Sequence, residues 1–238
     1  MTVPVRLSKR LIELIHCSRS EAEQYIQGGW VRVDGEVVDE PQFKVQAQTV
    51  ELHPDAVLTP TEPMTLLLHL PTGFDVANPA APLKLILPEN RAENDRSGFR
   101  IRSYHFARQM PTMPLEAGAT GLLAFTQDRR VVKRLVEDAD KNEQEYYVEV
   151  SGQIVENGLA SLNRAMEFNG RFLPLAKVSW QNEHCLRFAL KNMRSGQIDF
   201  MCKSVGLTAV AMKRQRIGRV AMSLPPGQWR YLPHGVLF

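Results

Sequence analysis

Hydrophobic positions in the first fifty residues follow two spacings. Leu7, Leu11, Leu14 and Ile15 recur every three to four positions, the period of one helix face. Ser18 followed by Glu21 has the spacing of a capping box, where each side chain satisfies a backbone N–H of the other residue. It predicts a second helix with Ala22 and Ile26 on its apolar side. Gly28 and Gly29 end that helix, since glycine tolerates the left-handed conformation that helix ends often need. From Trp30 to Val38 the pattern changes to alternation broken by Asp34-Gly35, the signature of two strands joined by a tight turn.

Between residues 53 and 63, Pro54, Pro60 and Pro63 stand among short polar residues, as in a linker, so a domain boundary is expected near residue 60. Beyond it, strand-like runs at 65–69, 145–150, 177–180 and 185–190 mix with helical stretches at 128–137 and 195–205. Residues 82–108, rich in charge and turn formers, predict no element. The pattern is α+β, with a small N-terminal domain at 1–58, a larger mixed α/β domain at 59–238 and a linker at about 53–63.

Composition excludes several classes. With 44% hydrophobic and 23% charged residues, the chain is unlike disordered or disulfide-scaffold sequences. Its apolar runs fall short of the roughly 20 residues of a membrane span, and residues 1–10 are too polar for a signal peptide, so a cytoplasmic protein with no membrane partner is expected. Cys17, Cys185 and Cys202 are scattered and odd in number, which favours reduced thiols. His16, His53, His69, His105, His184 and His234 show no metal-ligand spacing, and no metal or cofactor is expected. The net charge of +3 conceals a segregation: residues 191–238 hold eight basic side chains and one acid, +7, which leaves −4 for the rest. A polyanionic partner fits such a tail, and a solvated basic edge is the alternative.

The run Arg6-Leu7-Ser8-Lys9-Arg10-Leu11, then Ser18-Arg19-Ser20-Glu21-Ala22, then Gly29-Trp30-Val31-Arg32-Val33-Asp34-Gly35, closely resembles the small RNA-binding S4 domain. The resemblance implies that Arg6, Lys9, Arg10 and Arg19 meet phosphates near the helix starts, while Trp30 and Arg32 leave the hairpin. Trp30 reads equally as a core aromatic or a stacking platform.

Further landmarks follow in order. They are Leu66-Leu67-Leu68-His69-Leu70-Pro71-Thr72-Gly73, Leu115-Glu116-Ala117-Gly118-Ala119-Thr120-Gly121, Gln144-Glu145-Tyr146-Tyr147-Val148, and a C-terminal set with Gln197-Ile198, Val205-Gly206-Leu207, Lys213-Arg214, Arg216-Ile217-Gly218 and Leu224-Pro225-Pro226-Gly227-Gln228-Trp229-Arg230. Together they resemble the S4-domain-bearing rRNA pseudouridine synthases of the RsuA, RluB, RluE and RluF type. The resemblance implies a monomer that binds RNA, expected to be ribosomal, and that isomerises a flipped uridine without cofactor. An aspartate would be the nucleophile, a tyrosine would pack under the base and assist proton transfer, and an arginine would keep the carboxylate ionised.

Here the family's Gly-Arg-Leu-Asp is Met113-Pro114-Leu115-Glu116, so Glu116 takes the nucleophile position. Tyr146 is retained. Leu70 and Gln144 replace lysines, and Arg-Gln-Ile-Arg-Arg is Gly196-Gln197-Ile198-Asp199-Phe200, so Asp199 replaces the pairing arginine. A longer side chain shifts the carboxylate by about 1 Å, and such misplacement costs roughly a hundredfold in rate. Glu116 also reads as a solvated loop carboxylate, and Asp199 as a helix-face charge paired with Lys203. Lys213, Arg214 and Arg216 are expected to touch phosphate. Two functions compete: an RNA-binding protein whose isomerase activity is weakened or lost, and an active synthase that uses Glu116.

Overall fold

The computed structural model describes residues 3–74, 78 and 81–238. The chain forms two compact units, one of residues 3–63 with Phe99–Gln109, the other of the described residues of Met64–Gly98 and Met110–Phe238. The linker composition marks the first break but gives no sign that 99–109 returns to the first unit. That return rests on contacts remote in sequence. The Ser103 backbone N–H and hydroxyl both donate to the Asp39 carboxylate, at 2.9 and 2.6 Å. The Arg102 guanidinium lies against Gly29, where any side chain would collide with it.

In the first unit, β1 (Val5–Arg6), α1 (Leu7–Ile15), α2 (Arg19–Gln27), β2 (Val31–Val33), β3 (Glu36–Val37), β4 (Lys44–Val45) and β5 (Val50–Leu52) follow one another. The capping box forms as the spacing predicts: the Glu21 N–H donates to the Ser18 hydroxyl at 3.2 Å, and the Ser18 N–H donates to the Glu21 carboxylate at 2.8 Å. Asp34 and Gly35 take φ of 51° and 86°, the left-handed pair of a tight hairpin turn, and join β2 to β3. β5 flanks β2 on its other edge, and β1 pairs with β4. The core joins Leu7, Leu11, Ala22 and Ile26 of the expected helix faces to Val31, Val33 and Val45, while Leu14, expected on the same face, is exposed.

In the second unit, a nine-stranded sheet dominates. Its members in chain order are β6 (Thr65–Leu70), β7 (Met110–Thr112), β8 (Thr120–Thr126), β9 (Glu143–Gly152), β12 (Lys177–Asn182), β13 (Cys185–Lys191), β14 (Leu207–Ile217), β15 (Val220–Ala221) and β16 (Trp229–Tyr231), with a separate hairpin of β10 (Glu167–Phe168) and β11 (Arg171–Phe172). Sheet order runs β12-β13-β9-β14-β8-β6-β16, with β15 on β14 and β7 on β8; β14 and β8 are parallel and the other strand pairs antiparallel. The helices are α3 (Arg129–Val132), continued by a π turn over Lys133–Glu137, then α4 (Gly158–Leu162) and α5 (Gln197–Ser204). No helix among the described residues is long and apolar enough to cross a membrane.

The four strand-like runs become β6, β9, β12 and β13. β14, the eleven-residue strand in the middle of the sheet, was not predicted, because Lys213, Arg214 and Arg216 give its end the look of a solvated segment. It lies so close to β8 that a side chain on Gly121 (φ 111°) would overlap the Arg214 backbone. Glycine is required there by close approach as well as by dihedral angle.

On this sheet Glu145 bridges Arg187 at 2.5 Å and Arg216 at 3.1 Å, and Arg216 also holds Glu143 at 2.6 Å. Burial would raise the Glu145 pKa, but hydrogen bonds and charges from Arg187 and Arg216 outweigh it and hold the carboxyl below its ordinary value. A carboxylate with a depressed folded-state pKa stabilises the fold above its unfolded pKa, about 4.3, and loses that contribution as pH falls through the folded value. The urea midpoint of Glu145→Gln should therefore lie below that of the natural protein at pH 7, and the gap should close progressively below about pH 4.

Candidate functional site

The loop of residues 113–119 between β7 and β8 carries Glu116. Met113 opens it with φ 44°, a left-handed conformation that costs a non-glycine residue about 1 kcal/mol or more, while its side chain is buried in the core. Gly118, at φ 74°, supplies the second left-handed position. The Glu116 carbonyl accepts from the Ala119 N–H at 3.0 Å, closing a tight turn.

The Glu116 carboxylate reaches the start of α5. Its Oε2 accepts the Gly196 N–H at 3.0 Å and the Ser195 hydroxyl at 3.3 Å. Gly196, the residue before α5, has φ 76° and offers the helix no side-chain cap of its own. Glu116 supplies that cap from another part of the chain, and its charge suits the positive end of the helix dipole. Among the described residues it forms no ion pair within 4 Å.

Asp199, at the position that the resemblance gives to the pairing arginine, makes the helix-face pair of its alternative reading: its carboxylate binds Lys203 at 2.6 Å along the exposed side of α5. The i,i+4 spacing explains the choice, because both side chains leave the helix on one face.

Arg214 is a correction. Expected at a phosphate-binding surface, it is fully buried. Its Nε donates to the Leu122 carbonyl at 2.8 Å and its Nη2 to the Met113 carbonyl at 2.8 Å. Its Nη1 donates to Gln144 Oε1 at 3.0 Å, with longer contacts of 3.4 Å to the Tyr146 hydroxyl and the Pro114 carbonyl. The guanidinium thus ties the loop that carries Glu116 to β8 and β9. Gln144 is the side-chain acceptor that completes the arrangement, and its value was hidden while it read only as a lost lysine.

Tyr146 is likewise fully buried, and its hydroxyl donates to Gln144 Oε1 at 3.2 Å. Burial raises its pKa above the ordinary value; Arg214 opposes that shift, and the charge of Glu116 adds to it. Glu116, Tyr146 and Arg214 therefore share one electrostatic neighbourhood. In this arrangement the Tyr146 ring has no solvent-exposed face.

Arg216, expected to touch phosphate, is committed to Glu143 and Glu145. Lys213 is partly exposed and forms no ion pair among the described residues. In the first unit, Arg6, Lys9, Arg10, Arg19 and Arg32 are all exposed. Arg19 binds Glu23 at 2.8 Å, Arg10 lies 3.8 Å from Glu13, and Arg32 donates to the Gly35 carbonyl at 3.3 Å. Arg6 and Lys9 flank the start of α1, whose first turn holds no acid, a place where the helix dipole disfavours cations and favours an incoming anion. Trp30 is half-buried against Gly28, with the His53 ring 5.8 Å away.

These features define a class, a two-unit α+β protein with a small helix-and-hairpin unit before a large mixed sheet. The S4 domain family matches residues 5–50. Over 96% of this chain, an uncharacterized RNA pseudouridine synthase of Aquifex aeolicus is 29% identical, with 92% of its own length covered. The ribosomal small subunit pseudouridine synthase A of Pseudomonas aeruginosa is 28% identical, with 96% of each chain covered. The dual-specificity RNA pseudouridine synthase RluF of Escherichia coli K12 is 26% identical, with 96% of this chain and 75% of its own covered. A crystal structure of a pseudouridylate synthase superposes with a TM-score of 0.59 at 20% identity over 96% of both chains, which establishes the shared fold. Over nearly its whole length the chain is thus similar to proteins named as RNA pseudouridine synthases, with an S4 domain match at its N-terminal unit.

Removing the interactions at this site should have measurable costs. Glu116→Ala is expected to lower stability by about 1 kcal/mol through the lost helix cap. Arg214→Met should cost roughly 2–4 kcal/mol, because several buried acceptors lose their donor together. Chemical denaturation of both variants checks these values.

Proposed function

We propose that this protein binds structured RNA, ribosomal RNA being the foremost candidate, and that its capacity to convert uridine to pseudouridine is weakened or lost. In this reading residues 1–58 serve as the S4-type RNA-binding domain and residues 59–238 as a pseudouridine-synthase-like domain. One observation carries the reading: the Glu116 carboxylate is spent on the Gly196 N–H and the Ser195 hydroxyl, with no cation paired to it among the described residues. A nucleophilic carboxylate must be ionised and free to approach the base, and both hydrogen bonds hold this one against the helix start instead. The sealed Tyr146 ring points the same way.

A second reading, turnover by Glu116, draws support from the shared neighbourhood of Glu116, Tyr146 and Arg214. It requires Glu116 to leave the α5 start and Tyr146 to open when a uridine is flipped in.

Tritium release from RNA labelled at uridine carbon five separates the two. The proposed reading expects tight binding to ribosomal RNA without release, and silence in Glu116→Asp as well. Release by the natural protein that Glu116→Gln abolishes would instead establish a glutamate-dependent synthase. Binding itself should weaken steeply with salt, and Arg6→Ala with Lys9→Ala should reduce the slope of log K against log[salt] by about 1.4 to 1.8. Arg214→Lys should leave that slope unchanged, since the side chain it replaces lies out of reach of phosphate.

A further inference from the structure

The β10–β11 hairpin, outside the machinery described above, has an unusual neighbour. Asn169 and Gly170, at φ 50° and 72°, form its two-residue turn, and the register pairs Phe168 with Arg171 and Glu167 with Phe172. Directly opposed residues of an antiparallel pair leave the ribbon on the same face, so Arg171 shares the face of Phe168. On that face the Phe168 ring meets Phe200 of α5, with centroids 5.0 Å apart and planes inclined by 41°. Both rings are only half-buried. The Phe168 ring also lies beside Gly196, where a Cβ would stand 3.7 Å from its Cζ. Gly196 is the residue whose N–H holds Glu116.

We propose that Phe168 and Phe200, with Arg171 at their side, form a stacking platform for an unpaired base of the RNA strand next to the Glu116 loop. The proposal rests on the RNA-binding reading above. Two half-open phenyl rings carry no hydrogen-bonding group, so they select a flat partner without selecting its identity, as sequence-tolerant stacking requires. Arg171 is exposed, and neither it nor Arg194, two residues before Gly196, forms an ion pair among the described residues. Unpaired guanidinium groups beside open aromatics suit the phosphates that flank a stacked base. An apolar protein surface would have to cover these charges and the Asp199–Lys203 pair, which makes it the poorer occupant. Phe200 also stands where the resembled family places an arginine, so this chain has exchanged a charge for a ring at this position.

The test uses the full-length protein with an RNA stem-loop carrying 2-aminopurine in its unpaired loop, and an uninterrupted RNA duplex of matched length. The natural protein should bind the stem-loop and quench the 2-aminopurine emission. Phe168→Leu and Phe200→Leu keep an aliphatic packing group. Each should weaken stem-loop binding about tenfold and relieve the quenching, while duplex affinity and the salt slope stay unchanged. Phe168→Trp should restore both affinity and quenching, and Arg171→Ala should reduce the salt slope by about 0.7. Unchanged stem-loop affinity and quenching in both leucine variants would overturn the platform while leaving RNA binding intact, as would an equal loss on stem-loop and duplex. Failure of the natural protein to bind either RNA would overturn the RNA-binding reading, and the platform with it.

Discussion

A guanidinium sealed from water must find acceptors for its N–H groups within the protein, and Arg214 sets that demand at the middle of the larger unit. Its partners are the Met113, Pro114 and Leu122 carbonyls, the Gln144 amide oxygen and the Tyr146 hydroxyl, none of them a carboxylate. The neutral acceptors stand in for hydration. Much of the local structure follows from them: the interior position of β14, the close contact at Gly121, and a loop entered through a left-handed Met113 whose carbonyl Arg214 holds. Glutamine at 144 fits the same demand, since a lysine there would bring a second buried cation against the first.

Glu116 completes this frame in a different way from the arrangement that the resemblance implies. With Pro114 two residues before it and Asp199 where the resemblance places an arginine, it forms no ion pair among the described residues. Its carboxylate instead caps α5 through Gly196, and Asp199 turns to Lys203 on the same helix. The loop and α5 remain tied, but through a cap rather than an ion pair. Such a link preserves the fold of the site while engaging the atom that catalysis would need free, and for that reason binding without turnover is the reading we favour.

The periodic parts of this architecture were legible in the chain. Helix spacing, the Ser18 and Glu21 box, the Asp34-Gly35 turn and four of the larger sheet's strands formed where their patterns predicted. Charge pattern was the less dependable guide. Lys213, Arg214 and Arg216 read as one basic face, yet strand alternation turns the middle residue inward, and neighbouring glutamates neutralise the last. The segment 99–109 carried no signal either, because two hydrogen bonds from Ser103 to Asp39 hold it, across 64 residues.

The sequence by itself determined the local elements, the order of the family landmarks and the identity of the altered residues, because caps, turns and helix faces depend on neighbours within about four positions. Only the tertiary structure decided what the charged side chains do. Arg214 meets acceptors 68 to 101 residues away, and Glu116 finds its donors 79 and 80 residues on. At such separations a side chain's partner is set by strand order and burial, which no local pattern records.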